Sequence, residues 1–83
     1  MEAKIYTKTQ CTFCVQAKTL MTIRNIKFEE INLETTEGAR ESLMEACAAE
    51  NVVPRTVPQI WLDDDYVGGF QELKNKLDAL PQV

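Results

Sequence analysis

Hydrophobic residues in this chain fall into short blocks whose spacing changes from one block to the next. The run KIYT over residues 4–7 is β-prone and reads as a buried strand. Over residues 12–25, Val15, Lys18, Leu20, Met21 and Ile23 follow a helical rhythm instead of alternation. KFEEINL, residues 27–33, sets Phe28, Glu30 and Asn32 against Glu29, Ile31 and Leu33, the pattern of an imperfect second strand. Ala39, Leu43, Ala46 and Cys47 then return to helical spacing, with Thr35 or Thr36 as the expected N-cap and Glu37 favourable in the first turn. After Val52 the chain becomes β-branched and aromatic (TVPQIWL, 56–62). It turns through Asp63, Asp64 and Asp65 and resumes at Tyr66 and Val67, which predicts an antiparallel hairpin. A last helix is predicted over residues 70–80, with Leu73, Leu77 and Leu80 on one face. The predicted order is βαβαββα. A right-handed crossover makes the first two strands parallel, giving an α/β fold with a mixed sheet.

Composition narrows what such a fold does. Eighty-three residues suit one domain, expected to span 1–83, and are too few for two independent cores. A net charge of −4 with scattered lysines and arginines excludes nucleic acid as the main partner. No stretch is long and apolar enough to span a membrane, and the start has no signal-peptide pattern, so a reducing cytoplasm is the expected compartment. Cysteine content decides the chemistry. The chain has 3 cysteines and 0 histidines, one ligand short of a structural zinc site. The spacing and odd number do not fit a secreted disulfide framework, and missing histidine removes Cys–His and Ser–His nucleophile pairs. Cys11 and Cys14, a Cys-x-x-Cys beside a βαβ pattern, therefore read as a redox pair.

Three segments carry a family resemblance: CTFCVQAKTL (11–20), TVPQIWL (56–62) and GGFQEL (68–73). In their order and separations the chain resembles the glutaredoxins, of the short dithiol kind found in bacteria and their viruses, across nearly its whole length. The resemblance implies a thioredoxin fold, a four-stranded mixed sheet flanked by three helices. Departures are visible: Thr12 and Phe13 stand where the family usually has Pro-Tyr, Trp61 replaces Phe, and Gln71 and Glu72 occupy a frequently acidic pair.

What the resemblance implies can be set against each residue. Cys11 is expected at the N-cap of the first helix, facing free N–H groups including those of Phe13 and Cys14, which stabilise a thiolate. A helix dipole alone lowers a thiol pKa by at most ~1.5, so direct N–H bonds or a cation such as Lys8 would have to supply more. Lowering the pKa from ~8.5 to ~5 gains about 30-fold in thiolate at neutral pH but loses about 50-fold in nucleophilicity. The gain lies in Cys11 as a leaving group. By resemblance Cys14 resolves mixed disulfides. Cys47, among alanines, is read as a core residue.

Glutathione is the implied reductant and ligand, with no metal. Its expected binding residues are Lys8, Phe13, Arg55, Thr56, Val57, Pro58, Gly69, Phe70, Gln71 and Glu72. The resemblance implies a cis Val57–Pro58 bond and a Val57 backbone that pairs with glutathione as a short strand. Gly68 and Gly69 let the backbone approach the ligand. The N–H groups of Phe70 and Gln71 would meet the γ-glutamyl carboxylate, Glu72 or Gln71 its ammonium, and Arg55 the glycine carboxylate. Expected partners are disulfide-bonded or glutathionylated proteins, ribonucleotide reductase among them by analogy, with the protein acting as a monomer. The rival readings are a redoxin reduced by thioredoxin reductase, and a dimer holding a [2Fe–2S] cluster through glutathione.

Overall fold

A computed structural model describes residues 1–80. Its elements are β1 (Glu2–Thr7), α1 (Thr12–Ile23), β2 (Lys27–Asn32), α2 (Ala39–Ala49), β3 (Gln59–Leu62), β4 (Asp65–Gly68) and α3 (Phe70–Asp78). The four strands form one sheet in the order β2-β1-β3-β4. β1 and β2 run parallel, while β3 is antiparallel to both β1 and β4. The mixed sheet is the one that the element order predicted, with the α1 crossover making the first pairing parallel, and it is the thioredoxin-type arrangement that the resemblance implied.

Alternation along the strands sorts side chains to two faces. Ala3 and Ile5 of β1 and Ile60 and Leu62 of β3 pack with Ala17 and Met21 of α1 and Leu73 and Leu77 of α3. Tyr6 and Trp61, on the opposite face, pack with Leu43 and Cys47 of α2. The sheet is thus covered on both sides. That explains why β3 is buried at every position and reads as a run, not an alternation. On the α2 side the rings of Tyr6, Trp61 and Tyr66 meet edge to face, with centroids 5.7 and 5.0 Å apart.

Several expected boundaries move. α1 ends at Ile23, not Asn25, and Asn25 turns back with φ 59°. Its buried stripe is Cys14, Ala17 and Met21, whereas Val15 and Ile23 face solvent because they lie off the sheet-facing side. α2 starts later than predicted: Gly38, at φ 76°, is the N-cap, not Thr35 or Thr36. Those threonines lie in turns held by the Asn32 carbonyl, which accepts from both N–H groups. Glu37 therefore precedes the helix, and Glu41 is the acidic residue of the first turn. β3 is confined to Gln59–Leu62, and α3 stops at Asp78, leaving Leu80 half-buried against the core. The hairpin turn is made by Asp63 and Asp64, both at positive φ (47° and 70°), the backbone shape that favours Asp and Asn between twisted strands.

Candidate active site

The loop after β1 delivers the cysteines. Gln10, at φ 57°, turns the chain so that Cys11 becomes the N-cap of α1 in an extended conformation. Cys11 and Cys14 are joined as a disulfide, with Cα atoms 5.2 Å apart. The Cys14 N–H points at Cys11 Sγ from 3.1 Å, and this sulfur accepts where an N-cap hydroxyl oxygen usually would. Phe13, which was expected to share in this, has no such bond to Cys11 among the described contacts. The carbonyl oxygen of Val57 lies 3.8 Å from the same sulfur. Both cysteines are buried, Cys14 more completely.

The Val57–Pro58 peptide is cis. The loop before it and the start of α3 face each other across an open groove of about 430 Å³. Thr56, Val57 and Pro58 form one wall, Gly69, Phe70, Gln71 and Glu72 the other, and Phe13 closes the end. Phe13 is 58% exposed, and its ring stacks on that of Phe70 at 6.1 Å, so the first turns of α1 and α3 are linked over the groove. Eight of the ten residues singled out for a ligand meet here. The remaining two, Lys8 and Arg55, line an adjacent hollow of about 240 Å³ that shares Thr56 and Val57 with the groove.

Glycine is required at the α3 end. Gly68 has φ 115°, and a Cβ there would stand 3.0 Å from Glu72 Oε1. Gly69 is the helix N-cap, and its N–H donates to Glu72 Oε1 at 2.8 Å. One oxygen of the Glu72 carboxylate is therefore committed to its own helix. Gln71 donates through its side-chain amide to Asn75 Oδ1 at 3.2 Å.

Sequence reasoning missed two parts of the neighbourhood. The first is Arg40, which joins Lys8 and Arg55 so that three cations surround the smaller hollow, with Met44 and Leu43 as apolar lining. Starting α2 at Thr35 or Thr36 puts Arg40 past the first turn; with Gly38 as the cap it lies within it. The second is a contact chain near the cysteines, from Thr7 through Glu30 to Lys18. Partial burial pushes the Glu30 carboxyl up. The hydrogen bonds from Thr7 and Lys18 and the Lys18 charge outweigh this, so Glu30 titrates below its ordinary 4.5. Cys47 is fully buried against the aromatic rings, and burial, with Glu50 nearby, pushes its thiol up.

Chemically, a disulfide at a helix N-cap beside an open groove suits thiol–disulfide exchange. The comparisons with known proteins agree. Residues 3–67 match the family model described as Glutaredoxin. The chain is 36% identical to the glutaredoxin of Pseudomonas aeruginosa over 81 residues, which is 92% of this chain and 90% of that one. It is also 36% identical to glutaredoxin 1 of Rickettsia typhi over 72 residues, covering 86% of this chain but 65% of the relative. The solved structure of glutaredoxin 1 from Francisella tularensis, complexed with cacodylate, superposes with a TM-score of 0.74 at 36% identity, covering 93% of this chain and 92% of that one.

Proposed function

The chain belongs to the glutaredoxin family of thiol–disulfide oxidoreductases, and from that premise we propose that it reduces protein disulfides and glutathione mixed disulfides, with glutathione as its reductant. The observation that carries this reading is the Cys14 N–H held 3.1 Å from Cys11 Sγ, beside the groove wall formed by Val57. In the reduced protein the same N–H, with the α1 N-terminus behind it, favours a Cys11 thiolate. The Val57 carbonyl opposes it, but from 3.8 Å and without a formal charge, so the closer donor dominates. Cys11 attacks the client disulfide and forms a mixed disulfide, expelling the partner thiolate. Cys14 then attacks Cys11 Sγ, and the client leaves reduced.

In this reading glutathione spans the two hollows. Its γ-glutamyl carboxylate meets the N–H groups of Phe70 and Gln71 at the start of α3. Its cysteinyl backbone lies against Val57, with the sulfur at Cys11. Its glycine carboxylate meets Lys8, Arg40 and Arg55. The ammonium is left with Gln71 and the second oxygen of Glu72. Clients are disulfide-bonded or glutathionylated proteins of a reducing cytoplasm, ribonucleotide reductase among them, and the protein works as a monomer.

A turnover assay on a small glutathione mixed disulfide, coupled to glutathione reductase, tests this. Cys11→Ser abolishes turnover, whereas Cys14→Ser retains it and loses only the reduction of protein disulfides. Reduction of the wild type by thioredoxin reductase but not by glutathione would overturn the choice of reductant.

A further inference from the structure

This inference rests on Cys14 as the resolving thiol and concerns residues to which that reading gives no task. Lys18 follows Cys14 by one helical turn, so the two share a face of α1. Side chains on a helix lean toward its N-terminus, which carries the lysine back over Cys14. Lys18 accordingly lines, with Cys11 and Cys14, a hollow separate from the groove. Its ammonium is pinned, with Glu30 of β2 accepting from it through both oxygens at 3.0 and 3.2 Å. Glu30 in turn accepts from Thr7 Oγ1 at 2.8 Å. Thr7 is fully buried at the end of β1, just ahead of the loop that carries Cys11. Two strands and a helix thus fix one lysine at the redox pair.

As a half-exposed ion pair this contact adds about 0–1 kcal/mol to stability. Its position matters more for the charge that Cys14 meets. The hollow is lined by no carboxylate; its charged residues are Lys18 from α1 and Lys8 from the preceding loop. Glu30 reaches the site from β2 through Lys18, no residue of α3 lines this hollow, and Glu72 belongs to the groove.

We propose that Lys18, held by Glu30 and Thr7, positions a positive charge that favours the Cys14 thiolate during resolution, while Glu30 limits how far that effect goes. The step begins with Cys11 Sγ bonded to the client sulfur. The Cys14 thiol gives its proton to solvent, and its thiolate attacks Cys11 Sγ. The Cys11–Cys14 bond forms as the Cys11–client bond breaks, and the client thiolate departs and takes up a proton. Two electrons pass from the cysteine pair to the client. Lys18 favours the loss of the proton and, by making the thiolate a weaker nucleophile, partly opposes the attack that follows.

A unit charge about 6 Å away in watery surroundings changes a protonation equilibrium about threefold. Because nucleophilicity falls as thiolate stability rises, the resolving rate changes less, by about twofold. The test follows the titration of Cys14 through the Cβ chemical shift of isotope-labelled cysteine in a Cys11→Ser protein, where the remaining thiol, Cys47, is buried and resolved separately. Lys18→Met raises the midpoint and Glu30→Gln lowers it. The double variant returns near the start, and added salt shrinks each shift. Lys18→Gln, which keeps a donor for Glu30, reads the same loss of charge should Lys18→Met not fold. Midpoints that move in the same direction, or that do not move, overturn the proposal. The Cys14→Ser turnover assay remains separate: its failure would overturn the function reading and leave the titration result standing.

Discussion

Gly68→Ala tests whether the end of β4 is built around the carboxylate of α3. Two costs follow from the geometry. An L-residue at φ 115° is strained by about 1–3 kcal/mol. The new methyl would also stand 3.0 Å from Glu72 Oε1 and 3.3 Å from its Cγ. Glu72 is exposed and able to swing away, but doing so releases the Gly69 N–H that it holds at 2.8 Å. Losing such a cap costs about 1 kcal/mol. The sum, about 2–4 kcal/mol, is a large part of the total of about 4–12 kcal/mol that a chain of this length holds. Urea unfolding followed by circular dichroism reads it as a fall in midpoint with an unchanged slope. Repeating the substitution in a Glu72→Ala background separates the two costs. The clashing atoms are then gone, the Cβ that remains stands at an ordinary 3.5 Å, and only backbone strain is left. The penalty for Gly68→Ala should drop by about 1 kcal/mol there. An equal penalty in both backgrounds would refute the argument that Glu72 is what the glycine accommodates.

Arg40→Ala should raise KM for a glutathione mixed disulfide by about threefold to tenfold and leave kcat alone, because it removes binding shared by ground and transition states; a fall in kcat at constant KM would contradict this. Stability should also decline in alkali. Burial, then the Glu50 charge, pushes Cys47 above its ordinary 9.0. Burial, then the charges of Cys47, Glu72 and Glu50, pushes Tyr66 above 10.0. Both groups hold their protons more tightly when folded, so their contribution is complete below the unfolded values and is lost as pH rises through them toward the folded values. Urea midpoints against pH should fall from about pH 9 in the wild type and later in Cys47→Ala, and an unchanged onset in the variant would be against this assignment.

Strand and helix order was readable because each segment is dominated by one periodicity, and the doubly covered sheet makes β3 a continuous buried run. Boundaries were less readable where local hydrogen bonds competed. Thr35 and Thr36 look like helix caps in sequence, but their N–H groups are taken by the Asn32 carbonyl, and the left-handed Gly38 starts the helix instead. The groove walls were legible as two motifs on either side of the hairpin. Lys18, Glu30 and Thr7 were not, since their meeting depends on strand register: Glu30 lies level with Ile5 in the parallel pairing and reaches forward along β1 to Thr7. No pattern within a single element records that.

The burial of Cys47 has a consequence for what happens when the fold is lost. Three sulfurs can pair in three ways, yet the native chain permits one, because the third thiol lies beneath Tyr6 and Trp61 on the other face of the sheet from α1. Unfolding the oxidised protein removes that separation, and a free thiol then shares one flexible chain with a disulfide it can attack. Reshuffled isomers that tie Cys47 to Cys11 or Cys14 cannot return to the native packing, which holds Cys47 across the sheet from α1. The sheet is therefore also a partition that keeps a spectator sulfur from erasing the redox state stored on its opposite side.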